Sequence, residues 1–260
     1  MISSPHNTRL KLLRALAGKP KERREADCFL AEGVRLVEEA HFAHWPFQFA
    51  LFSADISRRG RKLLDELAAT GVELEEVLPE LLRSAGETDS SQGLVAVLKL
   101  PPVNPVLLKK PNFVLIPDQI RDPGNLGTLI RSAAAAGVEA VFIPPETTDP
   151  FAPKVVRAGM GSHFRIPVLN LAWDQIRSNL EGLSIFLAGA DGSLACWSAD
   201  FRRPLALIVG GEAEGASESA RNMANMFVKI PMPGKIESLN AGVAGAILMF
   251  EVVRQRNEAL

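Results

Sequence analysis

The chain has 260 residues, 47% of them hydrophobic and 23% charged, and a net charge of -1. That balance belongs to a globular protein and excludes disordered, fibrous and strongly polyelectrolyte classes. The length favours two domains, and Cys28 and Cys196, far apart and outside any C-x-x-C spacing, indicate neither a zinc site nor a disulfide framework. No apolar signal core follows the first charged residues, and no stretch reaches the roughly 18 to 20 apolar residues of a membrane span, so a reducing cytoplasm is the expected location. His6, His41, His44 and His163 show no metal-ligand arrangement with carboxylates, and no metal is expected.

Apolar periodicity predicts helices over 7–17 and 31–43, strands over Phe47–Ser53 and Val95–Leu98, and a helix over Arg59–Thr70. Together these make a small α/β domain. Its start is basic: within residues 1–24, Arg9, Lys11, Arg14, Lys19, Lys21, Arg23 and Arg24 oppose Glu22 alone. Neutralised phosphates release counterions, so such a patch can dock a nucleic acid; a solvated amphipathic helix is the other reading. Pro101, Pro102, Pro105 and Pro111 then disfavour helix and sheet alike and mark a linker, with a domain boundary near 105.

Beyond the boundary, strands and helices alternate. Strands are predicted over 113–117, 138–143, 183–188, 205–209 and 227–230, and helices over 125–136, 152–159, 173–180, 217–224 and 239–256. This alternation predicts a parallel sheet covered by helices. Ala133 to Ala136 followed by Gly137 reads as close helix packing with a C-terminal cap.

Three polar loops follow apolar runs, at the carboxyl ends of strands where α/β proteins place ligands. They are Asp118 to Arg131, Gly210 to Gly215, and Ile230 to Asn240. In the last, Pro231, Pro233 and Gly234 set the backbone at close intervals, and Ser238 is expected to cap the final helix. Taken singly, each has a plain structural reading: Arg131 as a surface residue, Glu212 as an acid at a helix start behind the cap Ser217, Ser238 and Asn240 as caps. Gly124-Asn125-Leu126-Gly127 before a helix, with Glu146 downstream, suggests dinucleotide binding, but the G-x-G-x-x-G order is absent.

Taken in order, Asn125-x-Gly127-x-x-x-Arg131, Gly210-x-Glu212-x-x-Gly215, and Ile230-Pro231-Met232 running into Ser238-Leu239-Asn240 resemble the three motifs of the SpoU/TrmH-type RNA ribose 2′-O-methyltransferases. Upstream, Phe29-Leu30-Ala31-Glu32-Gly33-Val34-Arg35-Leu36-Val37 and Gln92-Gly93-Leu94-Val95-Ala96 resemble the ribosomal-protein-like substrate-binding module that many members carry. The resemblance implies an α/β fold: an RNA-binding domain over 1–105, then a parallel sheet over 106–260 tied in a deep trefoil knot. It implies S-adenosylmethionine held by Gly210, Ile230 and Leu239, with Leu187 and Gly189 as a further wall. Arg131 is the implied catalytic residue, with Asn125, Glu212, Ser238 and Asn240 holding its geometry.

A guanidinium is a poor general base, so Arg131 is expected to bind the phosphate beside the target ribose and stabilise the developing alkoxide. The implied substrate is structured RNA, ribosomal ahead of transfer RNA, contacted by Arg9, Lys11, Arg14, Arg23, Arg24 and Arg35. The implied assembly is a homodimer, for which Ala241, Gly242, Ala244, Gly245 and Ala246 allow close helix approach. Ala216 and Ala241 depart from the larger residues common in the family, which bears on local packing. With no tyrosine in the chain, base stacking falls to Phe, Trp, His or Arg. A non-catalytic RNA-binding or ribosome-assembly protein is the alternative, disfavoured by retention of the polar set.

Overall fold

Ala31 and Glu32, expected to open a helix, end a strand instead. Cys28–Glu32 (β1) pairs antiparallel with Leu94–Lys99 (β4), and the helix begins only at Val34, after Gly33 turns the chain with a φ of 98°. Residues Cys28 to Ala31 are all buried, because helices cover both faces of this sheet. A continuous apolar run of that kind carries no period of two and merges with the helical pattern that follows.

The computed structural model describes residues 1–86, 92–101, 111–211, 215–234 and 236–257. These divide into one unit of Met1–Pro101 with Phe151–Phe164, and a second of Pro102–Pro150 with Arg165–Leu260. The boundary expected near 105 lies outside the described residues.

The first unit runs α1 (Thr8–Gly18), α2 (Pro20–Ala26), β1, α3 (Val34–Phe42), β2 (Phe47–Phe52), α4 (Arg58–Ala69), β3 (Leu74–Glu76), α5 (Pro79–Ala85) and β4. Its sheet has the order β1-β4-β2-β3, antiparallel except for the parallel pair β2–β3. Leu10, Leu13 and Leu16 of α1 and Leu82 of α5 pack on Cys28, Leu30, Phe49, Leu51, Val95 and Val97. The segment Phe151–Phe164 belongs here too: Phe151 and Phe164 lie against the ring of Phe29, and Trp45 meets Phe29 edge-on at 6.2 Å. Helices α2 and α5 and strand β3, of seven, seven and three residues, add to the elements expected from the sequence.

In the second unit the order is β5 (Phe113–Asp118), α6 (Pro123–Ala135), β6 (Ala140–Ile143), β7 (Val168–Asn170), α8 (Trp173–Asn179), β8 (Ser184–Ala188), β9 (Leu194–Ala195), β10 (Leu205–Gly210), α9 (Glu218–Met223), β11 (Met226–Lys229) and α10 (Ala241–Asn257). Helix α7 (Pro153–Gly159) falls between β6 and β7 in the chain but packs in the first unit. The seven strands lie in the order β7-β6-β5-β10-β8-β11-β9, every pair parallel, as the alternation predicts. Central β5 is buried along its whole length. Val114, Ile116, Ala206 and Ile208 pack under Ile176 of α8 and Ala220 of α9, while α6 and α10 cross the other face. Glycine makes that crossing close: a Cβ on Gly245 of α10 would lie 2.2 Å from Leu129 Cδ2 of α6. No helix among the described residues is long and apolar enough to cross a membrane.

Candidate active site

The three loops singled out in the sequence leave the carboxyl ends of β5, β10 and β11 and are joined by specific contacts. Asp118 closes β5 opposite Gly210 of β10, and its Oδ2 accepts the Ser217 amide at 2.6 Å. Next to it, Gly211 lies so close to the Gln119 carbonyl that a Cβ there would stand 2.3 Å from the oxygen. The first and second loops are therefore locked backbone to backbone.

The first and third loops meet through side chains. Asn240 Nδ2 donates to Asn125 Oδ1 at 2.8 Å, while the Asn125 amide donates to Asp122 Oδ1 at 2.8 Å, which caps α6 behind Pro123. Asn240 Oδ1 in turn accepts the Val243 amide at 3.2 Å. This corrects one expectation: the final helix starts at Ala241 and its cap is Asn240, not Ser238. Ser238 is thereby left to face a cavity. The expected cap of α9 is present, with Ser217 Oγ accepting the Ala220 amide.

That cavity, of about 330 Å³, is open above β8, β10 and β11. Leu187, Gly189, Gly210, Ile230 and Leu239, the five residues expected around the cofactor, all line it, with Ser238 at its rim. The lining is mostly apolar, and Arg221 and Asp191, paired at 3.3 Å, supply its charged groups. Gly210 keeps the floor clear: a Cβ there would lie 2.8 Å from the Ala216 nitrogen, pushing the second loop outward. An apolar slot of this size bounded by loop backbone fits a nucleoside-sized ligand, with surface for adenine and amides for its edge.

Arg131 is exposed on α6 and does not line the cavity. Among the described residues its guanidinium makes no hydrogen bond or ion pair. Glu212 lies outside the described residues. Of the basic residues expected on the RNA surface, Arg23 is 2% exposed and donates to the Leu16 carbonyl, terminating α1, so it is a structural residue. Arg9 pairs with Glu73 and Glu75 and lies over the Phe49 ring. Lys11, Arg24 and Arg35 are exposed, and half-buried Arg14 donates to the Pro5 carbonyl.

Asp118 was not foreseen as part of the site. Burial pushes its carboxyl above the ordinary carboxylate range, against the opposing pull of the Ser217 amide, and Glu146 adds to the rise. Its Oδ1 is buried and has no hydrogen-bond partner among the described residues. An acidic residue ending a wholly apolar strand was the available signal, since unpaired buried charge is costly and seldom incidental. Among the described residues no cluster of three or more His, Cys, Asp or Glu is gathered for a metal.

Residues 112–250 match the SpoU rRNA Methylase family, and residues 7–96 match the MRM3-like substrate binding domain. The chain is 32% identical over 253 residues to the Bacillus subtilis 23S rRNA (guanosine(2553)-2′-O)-methyltransferase RlmP, covering 96% of this chain and 98% of that one. It is 31% identical over 264 residues to the 23S rRNA (uridine(2479)-2′-O)-methyltransferase of Streptomyces viridochromogenes, covering 96% and 91%. Its fold superimposes on the crystal structure of the SpoU methyltransferase AviRb from Streptomyces viridochromogenes in complex with AdoMet, with a TM-score of 0.89, 29% identity and coverage of 97% and 99%. With its first loop bonded to the two loops that line the cavity and 96% of its length matched by such a relative, the chain belongs to the SpoU rRNA methylase family.

Proposed function

We propose that this protein transfers a methyl group from S-adenosylmethionine to a ribose 2′-hydroxyl of ribosomal RNA, of the large subunit as in the relatives named above. The observation that carries the reading is the bond between Asn125 and Asn240, which ties the loop bearing Arg131 to the loop lining the cavity. When bound, the donor supplies an electrophilic methyl on a positive sulfonium. The chain's own residues then have two tasks: aligning that methyl with the ribose oxygen and stabilising the oxygen as its proton leaves. Ile230, Leu239 and Leu187 bind, Gly210 and Gly189 leave room, and Ser238 stands where donor and sugar meet. Arg131 binds the phosphate next to the target ribose and favours the alkoxide, while Asn125, Glu212 and Asn240 hold the loops.

The N-terminal domain, over 1–105, selects the RNA, with Lys11, Arg14, Arg24 and Arg35 as candidate contacts. The catalytic domain follows over 106–260, apart from Phe151–Phe164, which packs in the first unit, and its C-terminal segment is tied in a deep trefoil knot. The protein works as a cytoplasmic homodimer. Val243, Ile247 and Phe250 form an exposed apolar stripe on α10 (47%, 37% and 49% exposed), at spacings that share one helix face. A stripe of this kind invites a partner. Because Arg131 stands outside its own chain's cavity, a second copy also offers a second guanidinium.

Incubation with labelled S-adenosylmethionine and separate pools of ribosomal and transfer RNA tests the substrate class. Label is expected in the ribosomal pool; label confined to transfer RNA would reassign it. Phe250→Glu is expected to halve the mass seen in light scattering, and a monomeric wild type at micromolar concentration would remove the dimer.

A further inference from the structure

Helices α3 and α4 of the first unit, like α1, begin with cations and no acids. Val34-Arg35 opens α3, and Arg58-Arg59-Gly60-Arg61 opens α4, with no acidic residue in the first turn of either. The backbone dipole makes a helix N-terminus electropositive, so each arginine there raises the field it already sits in. Gly60 brings the two ends together: a Cβ on it would lie 3.0 Å from Val34 Cγ2 and 2.4 Å from Ile56 Cγ1. Charge is thus concentrated where stability alone would disperse it.

A groove of about 620 Å³ opens there, lined among others by Arg35, Ser53, Asp55, Arg59, Arg83 and Gln92. Its walls are fixed by polar contacts. Gln92, held at a φ of 50°, accepts the Val34 amide on Oε1 at 3.2 Å, and buried Ser53 donates to Asp55. Asp55 meets Arg83 at 3.5 Å, and Glu38 pairs with Arg59. Arg59 and Arg83 are exposed, and exposed pairs of this kind exchange readily for another anion. Arg35 is exposed with no partner among the described residues.

We propose that this groove is the main RNA backbone site of the first unit, with Arg35, Arg59 and Arg83 contacting phosphates ahead of the cations on the α1–α2 face. The inference rests on the methyltransferase reading above and names the surface that presents RNA to it. Three guanidiniums from three helices, spaced around a polar trough, suit successive phosphates better than a single anion. On the α1–α2 face Arg23 is buried, and Arg9, tied to two glutamates, has a side chain 24% exposed against 62% for Arg59 and 48% for Arg83.

The test uses the full chain and transcribed 23S ribosomal RNA, with affinity measured across a salt series. Arg35→Ala/Arg59→Ala/Arg83→Ala is expected to weaken binding about tenfold or more and to lower the log–log salt slope by about 2 to 3. S-adenosylmethionine affinity should be unchanged, and the unfolding midpoint unchanged or raised. Lys11→Ala/Arg14→Ala/Arg24→Ala should change the slope less. If the triple variant fails to fold, Arg35→Ala alone is expected to lower the slope by about 1. Wild-type affinity in the groove variants, or a larger loss in the α1–α2 variant, overturns the groove and leaves the methyltransferase reading standing. A wild-type chain that neither binds nor methylates ribosomal RNA overturns both.

Discussion

Asn240 and Asn125 stand 115 residues apart and share a 2.8 Å side-chain hydrogen bond, donated by Asn240 Nδ2 to Asn125 Oδ1. Each asparagine also serves a helix start, Asn240 through the Val243 amide and Asn125 through its own amide on Asp122. Asn240→Ala removes a bridge and a cap and is expected to cost about 1–2 kcal/mol of stability, whereas Asn125→Ala should cost about 1. Denaturant titration of both singles and the double should give a coupling of about 0.5 kcal/mol or more. Strict additivity would show that the bridge contributes nothing in solution.

Glycine substitutions separate the cavity floor from the loop above it. Gly210→Ala and Gly211→Ala each bring a methyl within 2.8 Å of backbone, at the Ala216 nitrogen and the Gln119 oxygen. Overpacking of that kind costs about 1–3 kcal/mol, so calorimetry should show donor affinity falling roughly tenfold or more. A methyl added at Gly234 would meet no atom within 4 Å, and Gly234→Ala should bind as the parent does.

Arg131→Ala is expected to lower turnover by about 100-fold or more, the loss typical of a group that acts only on developing charge. Its side chain lies outside the cavity lining, so donor affinity in the same variant should stay within about twofold. A fall in donor affinity with turnover retained would reverse the assignment.

Asp118 makes stability depend on pH. A carboxyl whose folded-state pKa is raised contributes most below its unfolded value of about 4, and loses that contribution as pH rises through the folded value. Asp118→Asn keeps an acceptor for the Ser217 amide and removes the charge. Its unfolding midpoint should therefore exceed that of the parent near neutral pH, with the gap closing as pH falls toward 4. A gap that widens on acidification would mean that the carboxylate is stabilised by its surroundings.

Much of the catalytic half was legible because its signals are local. Alternating apolar runs and helical stripes marked the long elements, and the three polar loops fell at strand ends as the parallel arrangement requires. The choice of cap was not legible, since Ser238 and Asn240 are both good capping residues and only the path of the third loop decides for Asn240. Burial on both faces hid β1 inside a helical pattern, and the return of Phe151–Phe164 to the first unit depends on contacts with Phe29 that no local pattern encodes. Sequence also counted Arg23 as surface charge, when its guanidinium is spent on the Leu16 carbonyl.

The most direct measurement is mass spectrometry of nucleosides from ribosomal RNA incubated with the protein and S-adenosylmethionine, with Arg131→Ala run in parallel. One 2′-O-methylated nucleoside is expected to accumulate with the parent chain and to be absent with the variant. A methyl found on a base instead of the sugar, or equal yield from both proteins, would contradict a site built to stabilise a ribose oxygen beside Arg131.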